Sequence, residues 1–249
     1  FTNIDKVASR RFPRESMIAD IRDTEAIVRA LVPGAPIIHL AAEHRDDVRP
    51  LSLYHDVNVT GTANVCRAAA ARSIDTILFT SSVAVYGMAP AHTGEDGAIA
   101  PFNEYGRTKW EAEGELRRWY GEAADRRTLV IVRPTVVFGE NNRGNVYNLL
   151  RQIATGRFAM IGSGRNHKSM AYVGNVVAFF DHCLSLPVGL HLCNYVDQPD
   201  LSMNDLVCRV RGLMGREPRV GLRVPFAFGM AIGAAFDVVA RLSGRTFPI

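Results

Sequence analysis

The stretch Phe79-Thr-Ser-Ser-Val-Ala-Val-Tyr-Gly87, followed by Asn103-Glu-Tyr-Gly-Arg-Thr-Lys-Trp110, decides how this chain reads. The first piece reads as a buried strand running into a glycine turn, the second as the opening of a helix. Residues four apart on a helix share one face, so the Tyr105 phenol and the Lys109 ammonium are expected to point into one cleft. A nearby cation favours phenolate, which predicts a Tyr105 pKa drawn down from about 10 toward working pH. Ser82, at the strand end, offers a hydroxyl for a substrate oxygen that loses or gains a proton. Beside a nicotinamide, these three groups can oxidise an alcohol or reduce a ketone. A Tyr-x-x-x-Lys spacing alone is weak, since it arises by chance in roughly one such chain in twelve. Its bland reading is a solvated helix face with a buried tyrosine. The ordered context of strand, Ser-Ser, Val-Tyr-Gly and helix carries the reading.

Working outward, strand and helix alternate over the first two-thirds of the chain, which argues for an α/β fold with a parallel sheet. Strands are expected at 1–5, 16–20, 36–40, 76–81, 129–133 and 190–195. Their apolar runs lack strict alternation, as in strands covered on both faces. Helices are expected at 24–31, 53–71, 103–120 and 175–184. Residues 140–163 interrupt this rhythm with a glycine turn and a helix at 146–154. From about Ser202 the chain reads as mainly helical, and Ser202 with Asp205 forms a capping pattern for a helix over 202–213.

The bulk numbers fit a soluble globular protein of one large or two intertwined domains. Hydrophobic residues make up 47% and charged residues 22%, with a formal net charge of +4. The basic pairs Arg10-Arg11, Arg117-Arg118 and Arg126-Arg127 lie in separate segments, which reads as solvated faces and not as a nucleic-acid stripe. Cys66, Cys183, Cys193 and Cys208 show neither Cys-x-x-Cys nor metal spacing with histidine, so free thiols in a reducing cytoplasm and no metal are expected. The apolar run Val224–Ala240 is too short before Asp237 for a span of about 20 residues. It reads as a buried or oligomer-facing helix, and no membrane contact is expected.

His39-Leu-Ala-Ala42, Asn58-Val-Thr-Gly-Thr62, Phe79 to Gly87, Tyr105 to Lys109 and Arg133-Pro-Thr-Val-Val-Phe-Gly139 together resemble, in order, the extended short-chain dehydrogenase/reductase family, in its NAD-dependent sugar epimerase/dehydratase branch. The resemblance covers about residues 1 to 215. It implies a Rossmann-type doubly wound parallel sheet over 1–139 and 170–198, with a smaller, mainly helical substrate-binding lobe over 140–169 and 199–249. The Gly-x-x-Gly-x-x-Gly turn that cradles a pyrophosphate in this family is not in the sequence. Phe1 to Asp5 instead looks like the second strand, which places the first residue some 25 to 35 positions into the family pattern.

The resemblance also implies a site. Ser82, Tyr105 and Lys109 take the catalytic places. Asp5 is expected to bond an adenosine ribose, favouring NAD over NADP. Asp20, Ile21, Leu40, Ala41, Ala42, Asn58, Ser81 and Pro134, with Tyr105 and Lys109, are expected to line the NAD site. Ser82, Asn145 and Lys168 are expected to meet a nucleotide-sugar, with Arg165 and His167 as assistants. Tyr86 is read equally as a substrate contact or a core aromatic. His39 reads as a hydrogen-bonded core group, and His44-Arg45-Asp46-Asp47 as either a lid or a solvated loop. Relatives with dehydratase chemistry carry an Asp-Glu pair after the catalytic position; here Val83-Ala84 follows Ser82, which argues against elimination. The reading is therefore a cytoplasmic, homodimeric NAD-dependent epimerase, acting at C4 of a UDP-hexose or UDP-N-acetylhexosamine. Its rivals are a ketoreductase or dehydrogenase of the same fold, and a non-catalytic dinucleotide-binding module.

Overall fold

The computed structural model describes residues 1–45 and 48–230. The chain divides into two compact units. Unit 1 holds Phe1–Thr135 and Val173–Val196; unit 2 holds Val136–Tyr172 and the described residues from Asp197 on.

In unit 1, β1 (Asn3–Asp5) pairs in parallel with β2 (Ser16–Ile18). Helix α1 (Thr24–Ala30) starts where the Asp23 carboxylate accepts from Ala26 N at 3.0 Å, which satisfies one of the free amides of its first turn. Strand β3 (Ile37–His39) follows. The expected helix over 53–71 is three pieces: α2 (Ser52–Tyr54), a π turn (His55–Thr60) and α3 (Gly61–Ala71). Then come β4 (Thr76–Thr80), a 3-10 turn (Val83–Tyr86), α4 (Glu104–Gly121) and β5 (Thr128–Pro134).

Unit 2 begins with β6 (Val136–Phe138), α5 (Asn145–Thr155), β7 (Met160–Ile161), β8 (His167–Lys168) and β9 (Met170–Tyr172). Helix α6 (Val173–Cys183) and β10 (Gly189–Tyr195) return to unit 1. Unit 2 continues with β11 (Leu201–Ser202), α7 (Met203–Leu213) and β12 (Arg223–Val224). The break between units falls at Thr135, four residues before the expected 139, because β6 pairs with β9 in unit 2. The same pairing keeps Met170–Tyr172 in unit 2.

The main sheet has the order β10-β5-β4-β3, all parallel. All seven residues of β5 are buried, which explains its uninterrupted apolar reading. Cys66, Ala69, Ile77, Phe79, Ala112, Leu116, Trp119, Leu129 and Ile131 form one core cluster, with α3 and α4 packed against the sheet. Burying side chains of this size contributes about 1.5–3 kcal/mol each, before the entropy of ordering them. Unit 2 has its own core of Ile153, Met160, Met203, Leu206 and Val207. Its α7 is capped as the sequence predicts, with the Ser202 hydroxyl accepting from Asp205 N at 3.2 Å. Of the apolar run 224–240, residues 231–240 lie outside the described residues, as do Asp46 and Asp47.

Candidate active site

The site grows from the carboxyl ends of β3, β4 and β5. Just past β4, Ser82 has extended backbone (φ −162°) and caps the 3-10 turn, its Oγ accepting from Ala84 N at 3.1 Å. The Ser82 side chain also hydrogen-bonds Tyr105, and this bond favours the ionised phenol. The polypeptide reaches Tyr105 through a tight turn: Gly87 has φ +63°, and a Cβ there would lie 1.9 Å from Ala100 O. Asn103 then caps α4, accepting from Gly106 N at 2.8 Å. Gly106 lets the helix start flat against the 3-10 turn, since a Cβ would meet Ala84 O at 2.5 Å. This close approach brings the Tyr105 and Ser82 hydroxyls together.

Lys109 follows one turn later on α4. It is 2% exposed, with its Nζ 4.2 Å from the centroid of the Phe79 ring. The two charges behave differently from the sequence expectation. Burial raises the Tyr105 pKa, and the Ser82 bond opposes that only in part. Burial also pulls the Lys109 pKa down to about 7, with the Glu113 carboxylate opposing. Desolvation here outweighs the pairing that helix spacing alone predicted. His39, on β3, is fully buried and hydrogen-bonds Thr62 Oγ1 at 2.9 Å. Burial, then the nearby Lys109 charge, lower its pKa to about 3, so it is a neutral core group as read from the sequence.

Beneath these groups lies a buried polar network that sequence reading missed. Arg133, 1% exposed, clamps the fully buried Glu113 with two bonds, Nε to Oε1 at 2.8 Å and an Nη to Oε2 at 2.6 Å. Ser81 donates to Glu113 Oε1 at 2.6 Å. Arg133 also donates to the Tyr86 hydroxyl at 2.5 Å, which in turn donates to Asn194 Oδ1 at 2.8 Å. The network ties the ends of β4, β5 and β10 to α4 under the catalytic groups. Glu113 stands four residues beyond Lys109 and eight beyond Tyr105, on the same helix face. An acid on that face, and an arginine closing the apolar run Leu-Val-Ile-Val, were the signals available.

Several expected contacts land in this supporting layer. Ser81, expected to line the NAD site, turns its hydroxyl to Glu113. Tyr86 is buried, its hydroxyl accepting from Arg133 and donating to Asn194. Asn58 spends its amide on protein: it accepts from Glu43 N at 2.7 Å and donates to Glu43 O and to Thr108 Oγ1, each at 3.0 Å. It thereby holds the segment after β3, which contains Leu40, Ala41 and Ala42. Ile21 is pinned through its carbonyl, which accepts from Asn64 Nδ2 at 2.9 Å. Asp20 is chelated by Arg22, which holds its pKa at about 2. Asp5 is exposed and accepts from Val7 N at 2.9 Å. Pro134 ends β5 opposite Tyr195.

In unit 2, Asn145 is the exposed first residue of α5, and Lys168 is half-buried on β8, paired with Leu201. Among the described residues no cluster of His, Cys, Asp and Glu could hold a metal ion, and no helix is long and apolar enough to cross a membrane.

A parallel α/β sheet that sets a strand-end serine against the tyrosine of a Tyr-x-x-x-Lys helix defines a nicotinamide-dependent enzyme of the short-chain dehydrogenase/reductase type. The donor set fits that cofactor: a buried cation, two facing hydroxyls, and an open sheet edge where Leu40 is 60% exposed. The chain belongs to the NAD dependent epimerase/dehydratase family, whose model matches residues 3–191.

It is 48% identical over 248 residues to the N-acetyl-alpha-D-glucosaminyl-diphospho-ditrans,octacis-undecaprenol 4-epimerase of Escherichia coli O157:H7, covering 99% of this chain and 75% of that protein. It is 30% identical over 242 residues to the UDP-glucose 4-epimerase of Vibrio cholerae, covering 91% and 72%. The fold matches MoeE5 in complex with UDP-glucose and NAD, with a TM-score of 0.74 at 22% identity, over 89% of this chain and 78% of that one. It also matches the Bacillus cereus UDP-glucuronic acid 4-epimerase in complex with NAD, with a TM-score of 0.72 at 17% identity over the same shares.

Proposed function

We propose that this chain is an NAD-dependent 4-epimerase of a diphosphate-linked sugar, a UDP-hexose or UDP-N-acetylhexosamine. The observation that carries the reading is the Ser82–Tyr105 hydroxyl pair with buried Lys109 one turn on, in a chain related over nearly its whole length to a 4-epimerase. When bound, NAD supplies the hydride acceptor and returns the hydride. Tyr105, as phenolate, takes the proton of the C4 hydroxyl, and Ser82 donates to the same oxygen as it becomes a carbonyl. Lys109 holds the Tyr105 charge and a ribose hydroxyl of the cofactor. After the keto-sugar turns over, Tyr105 gives the proton back, the other C4 epimer forms, and the cofactor ends each turnover unchanged. Asp5 and the Leu40–Ala42 edge hold the cofactor.

A second reading is favoured by the 48% identity to the enzyme from Escherichia coli O157:H7. In it the sugar diphosphate is carried by a polyprenol instead of a nucleoside. The test is incubation of the NAD-loaded protein with UDP-glucose, UDP-N-acetylglucosamine and the polyprenyl-diphosphate N-acetylglucosamine. C4 inversion without net NADH supports the proposal, and the substrate that inverts selects the reading. Stoichiometric consumption of added NADPH would instead establish a ketoreductase. A homodimer through α3 and α4, in the cytoplasm, belongs to the same proposal. It is supported by the resemblance and by the concavity that Ala63, Cys66, Ala70 and Trp119 line between these helices, and sedimentation velocity tests it.

A further inference from the structure

One of the basic segments of this chain lies in unit 2. Residues 209–230 hold Arg209, Arg211, Arg216, Arg219 and Arg223 against the single acid Glu217, an excess equal to the +4 of the whole chain. Within this segment Arg219 pairs with Glu217, both side chains being about two-thirds exposed.

The same segment carries the most exposed large apolar side chains among the described residues of unit 2. Leu213 is 83% exposed, Leu222 68%, Phe226 65% and Phe228 67%. Part of the segment is fixed on β7: Met160 N donates to Leu222 O and Gly162 N to Val224 O, both at 2.9 Å, along the β7–β12 pair. The chain then lies over β7, so a Cβ on Gly162 would touch Phe226 at 3.8 Å, and one on Gly229 would meet the half-exposed Ile161 at 2.4 Å. Arg219 to Arg223 line a concavity on this same segment.

Exposed phenylalanine and leucine on one arginine-rich segment are the composition of a surface that sits in the interface of an anionic bilayer. We propose that residues 209–230, with Ile161, dock unit 2 onto a membrane surface rich in anionic phospholipid. The contact is interfacial and involves no span. It rests in part on the reading in which the sugar diphosphate is lipid-linked, since an enzyme held at the bilayer meets such a substrate where it resides. Neutral surfaces offer the arginines nothing, and a protein partner would have to supply both acid and apolar groups in this narrow strip.

The test is co-sedimentation of the full chain with vesicles of phosphatidylcholine alone or with added phosphatidylglycerol, without any sugar. Binding to the anionic vesicles is expected, falling by about 10-fold or more on neutral vesicles and in about 0.5 M salt. Phe226→Asp with Phe228→Asp, and separately Arg216→Glu with Arg219→Glu, are expected to weaken it by about 10-fold or more while thermal melting is unchanged. Absence of wild-type binding to anionic vesicles overturns the proposal, as do variants that bind like the wild type. Self-association that the phenylalanine variant abolishes, without vesicle binding, overturns it too and assigns the patch to a second copy. Because no turnover is read, a chain that binds vesicles yet inverts no sugar sinks the epimerase reading alone.

Discussion

At the scale of single residues, Tyr105 and Glu113 differ in kind although they share a helix face. In the proposed reaction Tyr105 touches the reacting atoms. Tyr105→Phe removes only the proton acceptor, so kcat is expected to fall by about 10³-fold while the NAD dissociation constant stays within a factor of about three. Turnover near that of the wild type would remove Tyr105 from the chemistry. Glu113 touches only protein. It faces Arg133 twice and Ser81 once in a site with no exposure. Glu113→Gln leaves the guanidinium buried without its counter-charge, which costs about 3 kcal/mol of stability. Urea unfolding measures that loss, and a midpoint equal to that of the wild type would show the pair to be dispensable. The double variant Glu113→Gln with Arg133→Met is expected to recover much of the loss, because both charges then leave the interior together. The spacing Tyr105, Lys109, Glu113 was visible in the sequence, but nothing in it told which carboxylate would meet which arginine.

At the scale of elements, the catalytic geometry depends on how α4 starts. The helix abuts the 3-10 turn at Gly106, with the Ala84 carbonyl where a Cβ would go. Gly106→Val is expected to push the first turn of α4 off Ser82, lowering kcat by about 10²-fold, of the order lost with one acid–base group. Far-UV circular dichroism is expected to stay native, since a valine in a helix costs only a fraction of a kcal/mol. Full activity in that variant would mean that the hydroxyl pair forms without this contact. Elements also show where sequence reading stopped. The parallel strands were legible as apolar runs, and α4 and α7 by their Asn103 and Ser202 caps. The π turn at His55–Thr60 was not. Its extra residue per turn follows no hydrophobic period, and the ties of Asn58 to Glu43 and Thr108 join residues 15 and 50 positions apart.

At the scale of the whole molecule, buried bases make stability depend on pH. The folded His39 pKa lies at about 3, against 6.5 for an unperturbed side chain. The unfolded chain therefore binds this proton more tightly than the folded one. Stability is unaffected by His39 above pH 6.5, falls as pH drops below that value, and the loss is complete below about 3. Lys109 has the same sign in a higher window, with stability rising as pH climbs from about 7 to 10.5. Melting temperatures of the wild type are expected to drop more steeply between pH 6.5 and about 4 than those of His39→Gln. Parallel curves would show that other groups govern acid unfolding. The amino-acid sequence by itself determined the parallel α/β sheet, the helix caps and the identity of the serine, tyrosine and lysine, because periodicity, capping and spacing are local properties of a chain. Only the tertiary structure decided that Ser81, Tyr86 and Asn58 hydrogen-bond other protein groups, that Tyr105 is harder to ionise than its lysine neighbour suggested, and that Leu222, Phe226 and Phe228 stay exposed on an arginine-rich segment. Burial and pairing between distant residues are created by packing, and desolvation in a packed interior outweighs what neighbours along the sequence can do.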